Sequence, residues 1–183
     1  MLKIKVIAFV GKAESGKTTA AKYLVDDYGY QRLSFSDGLK RMLYRGLEID
    51  TDYLYGNKKN EPCKELCGRT ARHAMITLGT EWGRDMIHPD IWVKSLERQL
   101  FKYHNGEDKF VIDDVRFLNE AKWVKDLDER YVTKLIRLDR YSDNKIQHQS
   151  ETELDNIVPD LIIQNNGTIE SLYKSITEVV DDM

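Results

Sequence analysis

Eight residues near the N-terminus, Gly11-Lys12-Ala13-Glu14-Ser15-Gly16-Lys17-Thr18, match the pattern G-x-x-x-x-G-K-[ST]. The chemistry of that spacing is phosphate binding. Successive backbone N–H groups at a helix N-terminus make a nest for phosphate oxygens. Gly11 and Gly16 allow a close backbone approach that a Cβ would obstruct. Lys17 has the reach to neutralise the β- and γ-phosphates of a nucleoside triphosphate, and the Thr18 hydroxyl is a suitable oxygen ligand for Mg2+.

Two further sets of residues carry charge where such a loop needs it. Asp113 and Asp114 end an apolar run, Phe110-Val111-Ile112, and a carboxylate at a strand end can hold Mg2+ or polarise an acceptor oxygen. Arg69, Arg72, Arg84, Arg116, Arg137 and Arg140 fall at helix ends, strand ends and loop edges. One arginine alone suits a solvated surface. As a set beside a phosphate loop they suit bidentate clamping of phosphate, because a guanidinium keeps its charge and presents a planar fork. Trp82, Tyr53, Tyr55 and Tyr141 have rings that can stack on a base; Trp82 also lies on an apolar helical stripe, which suits core packing. Cys63 and Cys67 are the only cysteines. With His73 nearby they could form part of a zinc site, but a structural site takes four ligands and no others are apparent, and a disulfide is not expected in a reducing compartment.

These groups need elements to hold them. Ile4 to Val10 reads as a strand buried on both faces, and Thr18 to Tyr28 as a helix with Gly29 as its stop. Arg32 to Phe35 reads as a second strand, and Ser36 caps a helix from Asp37 to about Tyr44. Residues 46–68 break every period and carry charge, so they are expected to form a long loop or lid-like, substrate-binding insertion. From Arg69 to Met86 a helical stripe returns through Ala71, Met75, Leu78 and Trp82. A further helix from Asp90 to about Tyr103 follows Pro89 and ends at an Asn105-Gly106 turn. Phe110 to Asp114, Thr133 to Leu138 and Leu161 to Gln164 read as strands. Val115 to Leu127 and Ile169 to Val180 read as helices, the latter after an Asn166-Gly167 turn. Alternation of strand and helix implies an α/β fold: three layers, α/β/α, around a mostly parallel five-stranded sheet.

The 183 residues then make a single domain with residues 46–68 inserted. A net charge of -3 gives no basis for nucleic-acid or membrane-surface binding. No apolar run reaches the roughly 18 residues of a membrane span. The apolar, basic N-terminus runs straight into the phosphate loop, so it is read as the first strand and not as a signal peptide, and the protein as cytoplasmic.

Larger motifs carry a resemblance. Phe35-Ser36-Asp37-Gly38-Leu39-Lys40, Leu78-Gly79-Thr80-Glu81-Trp82-Gly83-Arg84 with Trp92-Val93-Lys94, Asp113-Asp114-Val115-Arg116-Phe117-Leu118-Asn119-Glu120 and His148-Gln149-Ser150-Glu151 occur in that order. Together with the phosphate loop, the chain resembles the bacteriophage deoxynucleoside monophosphate kinases, from Val6 to Val180. The resemblance implies a P-loop kinase fold and transfer of phosphate from ATP, with Mg2+, to a deoxynucleoside monophosphate, in host cytoplasm if phage-encoded. It implies Gly11, Lys12, Ala13, Glu14, Ser15, Gly16, Lys17, Thr18 and Thr19 for ATP, with Arg140 on the lid or base side. Lys17, Asp114 and Arg116 would be catalytic, and Thr18 and Asp114 would hold the metal. Asp37, Lys40, Arg69, Arg72, Trp82 and Arg84 would line the monophosphate pocket, and His148 and Ser150 would lie near the nucleotide. ATP and the monophosphate are the partners expected, and a homodimer is left open. Two departures bear on this. Ser36-Asp37-Gly38 stands where relatives often have Ala-Asp-Pro, and Ile76 stands where they commonly have Gln one turn after the arginine matched by Arg72. The missing amide leaves the base preference open.

The nearest rival is a kinase of another phosphorylated small molecule, phosphomevalonate or dephospho-coenzyme A. A GTPase-like switch is disfavoured because no N-K-x-D tetrapeptide is present. A nucleotide-binding module without turnover predicts ATP binding with no ADP release.

Overall fold

Burial on both faces is what the run Ile4–Val10 demands, and strand β1 receives it: every residue of it except Lys5 is buried. The computed structural model describes residues 3–102, 108–141 and 153–183. Within them β1 is the central strand of a five-stranded sheet with β2 (Gln31–Leu33), β3 (Lys109–Val115), β4 (Tyr131–Asp139) and β5 (Leu161–Gln164), in the order β2-β3-β1-β4-β5. Every adjacent pair is parallel. The expectation of a mostly parallel five-stranded sheet is met in full.

By their contacts the residues fall into two compact units, Met1–Ser34 with Leu100–Met183, and Phe35–Gln99. The first holds the sheet. Helix α1 (Lys17–Tyr28) follows β1 and ends at Gly29, whose φ of 70° closes the helix as the sequence indicates. The chain then crosses from β1 toward β2, whereas the helix Leu118–Lys125 takes it from β3 the other way to β4. Right-handed crossovers in opposite directions put those two helices on opposite faces of the sheet. The closing helix, Ile169–Asp181, packs beside α1. Ile7, Phe9, Leu24, Ile136, Leu172 and Ile176 form the core on that face.

The second unit is helical. Helix α2 (Asp37–Leu47) contributes Leu39 and Leu43 to a core with Ile49, Leu54, Cys63, Ala71 and Trp92. Residues 46–68, read from sequence as a loop, are wound into α3 (Thr51–Leu54) and two 3-10 turns, Asn57–Asn60 and Lys64–Leu66. Their anchors Ile49, Leu54 and Cys63 are each fully buried, but at spacings that fit no helical or strand period. The helix expected over Arg69 to Met86 is also different. Helix α4 (Ala71–Ile76) gives way to a π-helical run, Thr77–Ile87. The change falls at Thr77, whose hydroxyl bonds back to the carbonyls of His73 (3.1 Å) and Ala74 (3.2 Å) and so competes for the acceptors of the ordinary helix. Helix α5 (Ile91–Lys102) begins in this unit, α6 is Leu118–Lys125 and α7 is Ile169–Asp181. Among the described residues no helix is long and apolar enough to cross a membrane. The expected Asn105-Gly106 turn and the His148 and Ser150 assignments lie outside the described residues.

Candidate active site

The phosphate loop joins the C-terminal end of β1 to the N-terminus of α1, where the first-turn N–H groups of a helix have no intrahelical acceptors. Two glycines fix its path. A Cβ on Gly11 would strike the Leu138 carbonyl, and Gly16, at φ 101°, has Asn165 Nδ2 where its Cβ would be. The Lys17 ammonium is folded into the loop. It donates to the carbonyls of Gly11 (2.7 Å) and Lys12 (2.6 Å) and, at 3.3 Å, to Ser15 Oγ. Lys17 is buried, whereas Thr18 is exposed and Thr19 half-buried. Glu14, Gly16, Lys17, Thr18 and Thr19 line a depression of about 190 Å3 together with Arg140. Lys12, Ala13 and Glu14 are exposed on the rim, and Ser15 is buried beneath. The structure thus places Arg140, which follows β4, beside the loop residues.

The two aspartates at the end of β3 are distinguished by their partners. Arg32 on β2 grips both oxygens of Asp113, Nε to Oδ2 and Nη2 to Oδ1, each at 2.9 Å. Asp114 accepts from the Ser34 hydroxyl at 2.5 Å. The pairing of β1 with β3 runs from Ala8–Ile112 to Val10–Val115, so β3 carries one extra residue at the aspartates. Such a bulge re-aims side chains and is common beside active sites. Arg116, next along, has an exposed side chain. Its backbone N–H is held by Glu120 Oε2 (2.8 Å), which also accepts from Phe117 N (3.2 Å). Buried Glu120 therefore fixes the entry to α6, which starts three residues later than the expected Val115 because Val115 completes β3.

The residues assigned to the monophosphate all lie in the second unit. Asp37 opens α2 and is half-buried. Lys40 is buried, its ammonium 4.7 Å from the centroid of the Tyr55 ring. Arg69 and Arg72 are exposed around the start of α4. Arg84, half-buried in the π-helical run, donates through Nη1 to the Gly79 carbonyl at 3.1 Å. That carbonyl also accepts from Trp92 Nε1 at 2.8 Å. A Cβ on Gly83 would come within 2.7 Å of the Trp92 ring. Gly83 of L-G-T-E-W-G-R thus makes room for the tryptophan of W-V-K, and Arg84 shares an acceptor with it. Trp82 packs at 6.4 Å from Trp92 and stays partly exposed. Cys63 is buried and donates to Glu65, and Cys67 is exposed. Burial, then the bond to Glu65, pushes the Cys63 thiol up from its ordinary value.

Three polar residues escaped the sequence reading: Arg32, Ser34 and Asn165. Arg32 and Ser34 act on partners about eighty residues away. Asn165 is buried at the end of β5, and its Nδ2 donates to the Ser15 carbonyl at 2.9 Å. An asparagine before an Asn-Gly turn reads as part of that turn, which hides its reach. Arg137, counted among the phosphate candidates, is tied instead to the carbonyls of Leu154 (2.6 Å) and Ile157 (2.5 Å).

A parallel sheet with a phosphate loop after its central strand and acids ending the neighbouring strand defines a P-loop kinase fold. Solved structures share it. TT1252 from Thermus thermophilus matches with a TM-score of 0.55 at 16% identity, over 99% of this chain and 98% of that one. The dephospho-CoA kinase from Campylobacter jejuni matches with a TM-score of 0.54 at 16% identity, over 97% and 96% of the two chains. At these identities the likeness concerns the fold alone. Sequence supplies the family: the profile described as deoxynucleotide monophosphate kinase matches residues 58–176. A protein of Acanthamoeba polyphaga mimivirus, provisionally named a deoxynucleotide monophosphate kinase, is 35% identical over an alignment covering 97% of this chain and 96% of its own. The chain belongs to the deoxynucleotide monophosphate kinase family, and is a nucleotide kinase by class. The family reaches beyond the bacteriophages of the resemblance.

Proposed function

We propose that the protein transfers the γ-phosphoryl group of ATP to a deoxynucleoside monophosphate, giving a deoxynucleoside diphosphate and ADP. The observation that carries the reading is the buried Lys17 ammonium, enclosed by the Gly11–Thr18 loop of a nucleotide-kinase chain. An acceptor phosphate oxygen attacks the γ-phosphorus while the bond to the β,γ-bridging oxygen breaks, and that electron pair leaves with ADP. A phosphate monoester has its second pKa at about 6, so the attacking oxygen carries no proton at neutral pH and needs no histidine base. The obstacle is charge. Two ligands bearing about five or more negative charges must meet, so alignment and neutralisation do the catalysis.

Lys17 and the loop amides from Gly11 to Thr19 take the β- and γ-phosphates, with Arg140 at the edge of the same depression. Arg116 serves the transferring phosphoryl group, and Asp114 the acceptor oxygen or the metal. Asp37, Lys40, Arg69, Arg72, Trp82 and Arg84 receive the monophosphate. Mg2+ fits the donor chemistry of Thr18 and Asp114, a hydroxyl and a carboxylate, whereas both oxygens of Asp113 are engaged by Arg32. When bound, the ion supplies neutralisation of the triphosphate. In domain terms residues 46–68 serve the acceptor side as part of the unit Phe35–Gln99.

The test is ADP release with each of the four deoxynucleoside and four ribonucleoside monophosphates as sole acceptor, with phosphomevalonate and dephospho-coenzyme A beside them. Turnover with at least one deoxynucleoside monophosphate is the expected result. Turnover only with one of the last two, or ATP binding without turnover on any acceptor, would overturn the reading.

A further inference from the structure

We propose that Asn165 and Asn166 are positioning residues for the triphosphate, which together fix the spacing between the phosphate loop and Arg140. The inference rests on the function proposed above. Both residues lie in the turn between β5 and α7, far from the loop in sequence.

Asn165 is 8% exposed, and a buried amide is costly unless bonded. Its Nδ2 donates to the Ser15 carbonyl at 2.9 Å. In a trans peptide the carbonyl of one residue and the N–H of the next are antiparallel. Holding the Ser15 carbonyl therefore dictates where the Gly16 N–H points, and that N–H is one of the donors of the nest. The same Nδ2 occupies the volume a Cβ on Gly16 would take. Loop and asparagine are thus fitted to each other.

The second half of the device acts on Arg140. The backbone N–H of Asn165 donates to the Asp139 carbonyl at 2.7 Å. Asn166 Oδ1 accepts from the Tyr141 backbone N–H at 2.8 Å. Arg140 is therefore bracketed, one bond before it and one after, by two adjacent asparagines, the first of which also holds the loop. Arg140 and the loop residues Gly16, Lys17, Thr18 and Thr19 line one depression. A turn that only joins β5 to α7 needs neither the bond to Ser15 nor the bond to Tyr141.

The full-length protein is assayed as wild type, Asn165→Ala, Asn166→Ala, Arg140→Ala and the double variant Asn166→Ala/Arg140→Ala. KM for ATP, KM for the monophosphate, the calorimetric Kd for ATP and Tm are read for each. One lost hydrogen bond corresponds to roughly a tenfold effect. Asn165→Ala is expected to raise KM and Kd for ATP by about that factor, with KM for the monophosphate within about twofold. Asn166→Ala is expected to weaken ATP by a smaller factor, and to have no further effect once Arg140 is alanine. A fall in Tm with Kd for ATP unchanged, both KM values rising together, or an equal effect of Asn166→Ala with and without Arg140 would overturn the proposal. If Asn165→Ala does not fold, the exposed Asn166 and its cycle with Arg140 decide alone. If the wild type binds ATP but phosphorylates no monophosphate, the functional reading fails while the calorimetric Kd values still judge this one.

Discussion

Arg32 and Asp113 form a two-bonded fork across neighbouring strands, each bond 2.9 Å long, with the carboxylate side chain 3% exposed. That pair distinguishes two adjacent aspartates by their partners, since Asp114 accepts from Ser34 instead. Asp113→Asn keeps the shape but loses the charge pair; the guanidinium is partly exposed, so the expected cost is about 1–2 kcal/mol of stability in urea titration, with kcat changed little. Asp114→Asn is expected to leave stability within about 0.5 kcal/mol and lower kcat by about 10^2-fold or more. The opposite pattern would reverse the assignment.

Lys17→Ala removes the ammonium that the Gly11 and Lys12 carbonyls hold. Turnover is expected to fall by about 10^2–10^3-fold or more, with the circular dichroism spectrum unchanged. Substantial kinase activity in this variant would show that the loop lysine does not serve the transferring phosphate.

Arg84 touches the Gly79 carbonyl through one nitrogen. On the proposed function, Arg84→Ala raises KM for the monophosphate by about tenfold or more and KM for ATP by less than about twofold. A parallel rise in both constants would point to a general loss of structure.

Tyr30 provides a pH test independent of catalysis. Its hydroxyl is buried without a hydrogen-bond partner among the described residues, and burial pushes its pKa up to about 12 from the ordinary 10.0. Folded pKa above unfolded pKa means that the contribution to stability is intact below pH 10 and is lost as pH rises toward 12. Tyr30→Phe is expected to match the wild type or slightly exceed it at pH 8, and to be clearly the more stable protein at pH 11. Urea midpoints at the two pH values measure this; a constant difference between the proteins would refute it.

Much of this architecture is legible in the chain. Ile4–Val10 and Leu161–Gln164 are strands at the residues their apolar runs mark, and Gly29 stops α1 where it stands. The loop chemistry is legible because it is local: eight contiguous residues suffice. What escapes is set by distant partners. Asp113 and Asp114 look alike until Arg32, on β2, and Ser34, just after it, give them different partners. The π-helical winding at Thr77–Ile87 is hidden because its apolar residues also satisfy an ordinary helical stripe. Ile49, Leu54 and Cys63 anchor the second unit at irregular intervals, and irregular spacing is what a loop also looks like.

The position of β1 has a consequence for how the protein is made. Ile4–Val10 is made before its partners, because it pairs with strands that begin at Lys109 and Tyr131. At about 5–20 residues per second, it waits roughly 5–20 seconds for its first neighbour. Throughout that time a β-prone, nearly uncharged heptapeptide has every ladder bond unmade, the state most open to pairing with another copy of itself. The strand that floors the phosphate loop in the finished enzyme is, during synthesis, a segment whose edges stay open until the second half of the chain arrives.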